Sequence, residues 1–77
     1  MNPSLCRFVI ARVDPTQNNG ADVAPAVITR VWGPEMVNLR VFVDAPTMPL
    51  SKTSVKLFDS QEEAEGTELA CWWPPKV

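Results

Sequence analysis

Ser51-Lys52 and Ser54-X-Lys56 are the pairs in this chain that come nearest to a nucleophile beside a base. A serine or cysteine nucleophile needs an activating group held against it. The chain has no histidine, so Lys52, Lys56 or Lys76 would have to serve, and Ser and Lys are too common for these spacings to carry that role. Cys71 lacks a base for the same reason. Glu62, Glu63, Glu65 and Glu68 bring carboxylates close together. Acid–base catalysis needs two carboxylates fixed across a rigid cleft, whereas these fall in the most polar stretch of the chain. A structural zinc site wants four Cys or His ligands at close spacing, and the only two cysteines, Cys6 and Cys71, sit near opposite ends. Gly20, Gly33 and Gly66 are scattered singly, so there is no phosphate loop or dinucleotide fingerprint. The expectation is a protein that is not an enzyme and that holds no metal and no cofactor.

A different chemistry remains, carried by arginines and aromatic rings. Arg30 and Trp32 lie on one expected strand, Arg40 and Phe42 on the next. Such a patch could stack a planar ring and hold a phosphate. The plainer reading is a sheet face on which arginine stems pack against aromatics. Trp72-Trp73 adds to the set. Adjacent residues of a strand point to opposite faces, so one indole is expected in the core and the other outside. An indole left in water exposes a large apolar area. The outward one is therefore expected against a sister subunit, a ligand or partner, or the tail Lys76–Val77. The candidate binding residues are Arg30, Trp32, Arg40, Phe42, Trp72 and Trp73.

Strands must position these side chains. Val37, Leu39, Val41 and Val43 alternate with Asn38, Arg40, Phe42 and Asp44, the period of two of a half-buried strand. Gly33-Pro34-Glu35-Met36 reads as the hairpin before it, and Pro25 to Trp32 as the preceding strand. Proline at position 25 suits a strand's first residue or an edge. Here Val27 and Val31 are expected inward, Arg30 outward and Trp32 at a rim. Leu5 to Val13 forms a first strand, apolar on both faces and so suited to cover on both sides. Asp14 to Ala24 is a mobile, exposed loop with turn-forming Asp-Pro and Asn-Asn-Gly. Ala45 to Lys52 is an irregular connection. Thr53 to Phe58 is a fourth strand, with Val55 and Leu57 opposite Lys56 and Phe58. Asp59 to Thr67 is acidic and suits one helical turn capped by Ser60 before Glu63. Glu68 to Trp73 closes the set, and Pro74-Pro75 ends ladder pairing. A long first loop, a three-stranded meander, a short turn and a final strand point to a five-stranded SH3-like barrel, with an OB-like barrel as second choice.

Seventy-seven residues allow one domain, 1–77, and a small core. A chain of this size needs a disulfide, a metal or a partner subunit; with no zinc site, association into a homo-oligomer is the expectation. The start Met-Asn-Pro-Ser reads as no secretory signal, which predicts a cytoplasmic setting and two buried, reduced thiols. No stretch has the length of a membrane-spanning helix. Asp59, Glu62, Glu63, Glu65 and Glu68 form an acidic run with no base among them. Elsewhere four acids, Asp14, Asp22, Glu35 and Asp44, face all seven bases. The run reads as a solvated loop; the sharper reading is a basic face on the barrel body that meets an anion. A net charge of −2 does not suit general duplex binding.

Three elements in order, Val37 to Asp44 (VNLRVFVD), Thr53 to Val55 (TSV) and Trp73 to Lys76 (WPPK), resemble a family of small proteins of tailed bacteriophages and prophages. The similarity runs from about Pro25 to Val77. Cys-Trp-Trp before the proline pair and the proline-rich 45–50 connection depart from the family pattern. The resemblance implies a phage origin and carries over no functional residue. The expected role is then a non-enzymatic accessory protein in the host cytoplasm. It would bind a host defence factor or sequester a small anionic, nucleotide-like signal. A virion component, such as a capsid decoration or tail-accessory protein, is the alternative, and a small enzyme of unknown type the next.

Overall fold

The computed structural model describes residues 2–44 and 49–75. Five strands are formed: β1 (Phe8–Arg12), β2 (Val23–Gly33), β3 (Met36–Val41), β4 (Leu50–Phe58) and β5 (Ala70–Trp72). They close into one barrel in chain order, with β5 pairing back onto β1. The fold is therefore the expected all-β, five-stranded barrel. Its sequential order matches the SH3-like plan of a meander plus a closing strand, whereas an OB barrel is a Greek key. The ladder from β4 to β5 is parallel and the others are antiparallel. A parallel pair needs a long crossover, which is why residues 59–69 form an extended connection where a short turn was expected. β2 and β4 both begin earlier than the sequence suggests, at Val23 and Leu50. Residues 45–48 of the irregular connection and the 76–77 tail lie outside the described residues.

The alternation in β3 is realised as read. Val37, Leu39 and Val41 are buried, and Val43 packs half-buried against the same core. Val55 and Leu57 of β4 and Val9, Ala11 and Val13 of the first segment join them. The assignment for β2 is corrected. Ala24, Ala26 and Ile28 face inward, while Val27 is half-buried and Val31 exposed. Val27 alternates with Ala26 and Ile28 and so takes the outer face; a register shift follows between Ile28 and Arg30. It places one extra residue, Thr29, on β2, and such a bulge reverses which face the following side chains take. Arg30 and Trp32 share parity with Ile28 yet reach the surface.

Pro25 sits inside β2 and not at its start. Its carbonyl accepts from Phe42 N at 2.9 Å. The side that lacks a donor thus faces a residue just past the end of β3, where only the return bond to the Phe42 carbonyl is missing.

The Asp14–Ala24 loop is anchored. Asp14 caps a short 3-10 turn over Pro15–Gln17, and its carboxyl is held below its ordinary range by the backbone N–H and then the hydroxyl of Thr16. Asn18 is 3% exposed. Its Nδ2 donates to the carbonyls of Ala21 at 2.9 Å and Val23 at 2.8 Å, and its Oδ1 accepts from Asp44 N at 2.6 Å. The loop expected to be mobile is thereby tied to the end of β3.

Both thiols are free, but Cys6 is exposed and only Cys71 is buried. The expectation of two buried thiols fails at Cys6. The ladder starts at Phe8, and Cys6 lies in the turn before it with φ +69. Burial pushes the Cys71 thiol up to about 12. The thiolate is the reactive form, so a thiol reagent at pH 8 is expected to modify Cys6 in the folded protein. Cys71 should react only when denaturant opens the barrel; one fast and one unfolding-limited phase check this, and two fast phases contradict it.

Candidate docking face

The register pairs align side chains across the outside of the barrel. Phe8, Val27, Arg40 and Ser51 stand side by side on β1, β2, β3 and β4. In the next row Ile10 pairs with Pro25, and Phe42 follows through its bond to Pro25. Phe8 is 59% exposed and Phe42 42%. Pro25 and Arg40 are exposed, and Val27 and Ile10 are half-buried. The result is an apolar belt across three strands with one guanidinium at its edge. The two apolar faces of the first segment already hint at it; Phe8 and Pro25 are not among the expected binding residues, and Val27 was expected in the core.

Arg30 and Trp32 occupy the hairpin end of β2. The Arg30 Cζ lies 4.2 Å from the centroid of the Trp32 ring. Trp32 is 55% exposed, and its indole N–H donates to Asn38 Oδ1 at 2.8 Å. The same Oδ1 accepts from the backbone N–H of Ser54 at 2.9 Å. Ser54 has φ +54 and lies where β4 slips register against β3. Asn38 thus fixes the indole and the β4 bulge together. Its one clue in the sequence is its type, since Asn is depleted in strands. A guanidinium on one ring face leaves an amphipathic, cationic pair at the surface.

Trp72 and Trp73 do point to opposite faces. Trp73 closes the barrel interior at 9% exposure, and Trp72 lies outside it at 1%. The expectation of an indole covered by a subunit, a ligand or the tail is corrected: residues of the acidic connection cover Trp72. Ala64 and Ala70 pack with it, flanked by Ile10, Val23 and Phe58. Arg12 locks this layer down. Its Nε donates to the Thr67 carbonyl at 3.0 Å and its Nη2 to the Ala64 carbonyl at 3.1 Å, and its Cζ sits 5.3 Å from the Trp72 ring centroid. The guanidinium thus supplies a donor to the Thr67 carbonyl and a second one to the Ala64 carbonyl, which also accepts from Thr67 N at 3.1 Å. The Ser60 cap is present, with the hydroxyl 3.4 Å from both Glu63 N and Glu63 Oε2. The acidic run is solvated on one side and structural on the other. Trp72 and Trp73 therefore do not join Arg30, Trp32, Arg40 and Phe42, all of which lie on the outside of β2 and β3 or just beyond.

The two larger grooves among the described residues lie elsewhere. One of about 530 Å³ lies beside Arg12, Asp14, Asp22, Lys52 and Glu68. Another of about 410 Å³ runs along Ile10, Trp72, Trp73 and Pro75, with Asp59, Glu62 and Glu65 on its rim. Arg30, Trp32, Arg40 and Phe42 line neither. Comparison of the chain with protein-family models, curated proteins and solved structures finds no match.

Proposed function

We propose that this is a non-enzymatic phage accessory protein that acts in the host cytoplasm by docking onto a host protein through the belt Phe8–Val27–Phe42–Arg40. The observation that carries the reading is two exposed phenylalanines on one sheet face beside an arginine. Interfaces are enriched in aromatic residues and arginine, and a few such anchors dominate their affinity. Small-molecule sites are concave and enclose most of their ligand. The grooves are lined by none of Phe8, Val27, Arg40 and Phe42, and one of them meets this face only at Ile10, so a protein partner suits it better than a sequestered nucleotide. The resemblance to tailed-phage proteins supplies the setting.

The test uses the Phe8→Ala/Phe42→Ala variant. Both side chains are exposed, so the variant should fold. Host proteins captured by the wild type are identified, purified and rebound. Loss of two anchors should weaken that binding by about 2 kcal/mol or more, roughly thirty-fold in Kd. Equal binding by both chains would sink the proposal. A thermal shift of several degrees with a nucleotide would favour sequestration instead, and recovery of the chain from purified particles would favour a virion role.

A further inference from the structure

We infer that copies of this chain associate head to tail, the Arg30–Trp32 pair of one copy seated in the acid-rimmed groove over β5 of the next. The groove has an apolar floor whose accessible residues are half-buried Ile10 and exposed Pro75, over the buried Trp72 and Trp73, and three exposed carboxylates, Asp59, Glu62 and Glu65, along its edge. The complementary element is an exposed indole carrying a guanidinium 4.2 Å from its ring. The indole suits the apolar floor, and the guanidinium suits the rim. The barrel keeps the two apart within one chain. β2 and β3 are the two strands that do not pair with β5, so the arginine face and the groove lie on different walls. Complementary patches that cannot meet within one copy can meet between copies. Such a contact is heterologous, and it forms a ring when the rotation between copies closes.

Charge selects this arrangement over a face-to-face dimer. Pairing two arginine faces would bring Arg30 and Arg40 of both copies together, and like charges across an interface are unfavourable. The acidic run carries no base, and the chain's own Arg7 is engaged over the Trp73 ring at 5.5 Å; the second copy's Arg30 is a further complement that the chain itself can supply. The inference does not rest on the docking belt, since Phe8 and Phe42 take no part in it.

Sedimentation analysis of the full chain tests it, with Arg30→Glu and Glu62→Lys/Glu65→Lys as the variants. All three side chains are exposed. The wild type should assemble at low salt and dissociate as salt rises, with self-affinity falling at least about tenfold between about 0.05 and 0.5 M. Each variant alone should lose self-association by a similar factor. An equimolar mixture should restore assembly, because each altered surface then meets one of opposite sign. Restoration also shows that both variants are folded, and circular dichroism checks this independently. The Phe8→Ala/Phe42→Ala variant should assemble like the wild type, which separates this contact from the docking belt. A wild type that stays monomeric at about 100 μM and low salt, where a micromolar contact would be saturated, overturns the inference. So do variants that assemble unchanged, or a mixture of folded variants that stays monomeric.

Discussion

Replacing Trp72 with alanine is expected to remove most of the stability of the fold. The indole is 1% exposed and forms the centre of a layer whose other fully buried members are Ala64 and Ala70. Two alanines cannot collapse into the space it leaves. Truncating a buried tryptophan costs about 3–5 kcal/mol. At roughly 0.05–0.15 kcal/mol per residue, a chain of this length has on the order of 4–12 kcal/mol in all. Arg12 would also lose the ring it packs on. The thermal midpoint should fall by roughly 15–30 °C, or the cooperative transition should vanish, as read by circular dichroism. Trp32→Ala is the matched control. That ring is exposed, so the change should stay within about 1 kcal/mol. Equal losses from the two variants would mean that the acidic connection does not cover Trp72 in solution.

The second large effect is expected at Asn18. Asn18→Ala leaves the Asp44 N–H and the carbonyls of Ala21 and Val23 without the partner they share. Unmet buried groups cost about 1–3 kcal/mol each, and with partial rescue by water the loss should be about 2–4 kcal/mol. Asn18→Asp keeps the shape and gives a sharper test. A carboxylate there faces two carbonyl oxygens where the amide donated. Burial and these oxygens favour the neutral acid, so the folded pKa rises above the unfolded value. The variant's stability should then be highest below the unfolded carboxyl pKa near 4 and fall as pH rises through the folded value. Urea denaturation at pH 4 and pH 7 reads this difference against the wild type. A variant as stable at pH 7 as the parent would show that Asn18 does not anchor the loop.

The parts of the fold legible in the sequence are those with one unbroken period. β3 alternates cleanly, and its inward residues are the ones the pattern names. β2 misleads because both of its faces carry apolar residues, so the pattern does not choose between Ala26 and Val27, and the later Thr29 bulge leaves no mark on it. Val27 and Val31 look more like core than Ala26, yet small side chains are what the crowded interior opposite Val9 and Val41 accepts. The tryptophan pair was legible as an inside–outside pair. Its cover was not, because Ala64 is a small residue among five glutamates and aspartates, and nothing local says it is buried. Arg30, Trp32, Arg40 and Phe42 were found as surface residues by type and spacing. Phe8 was missed as a partner of Arg40 because only the register of β1 on β2 brings it there. Asn18 and Asn38 hold loops and bulges through side-chain bonds to distant backbone, a relation that no window of sequence contains.

The closing of the barrel has a consequence in time. β5 joins β1 through two register pairs, Ile10 with Trp72 and Ala11 with Cys71. Both reach across nearly the whole chain. β1 is among the first segments synthesised, yet one of its flanks has no permanent neighbour until β5 exists. Contacts so distant along the chain are the slow ones in folding. The hairpins can form early, but the last short strand decides when the molecule stops offering open strand edges to its surroundings. Three residues thus act as a clasp, and until they fasten, the chain has a fold plan without a finished fold.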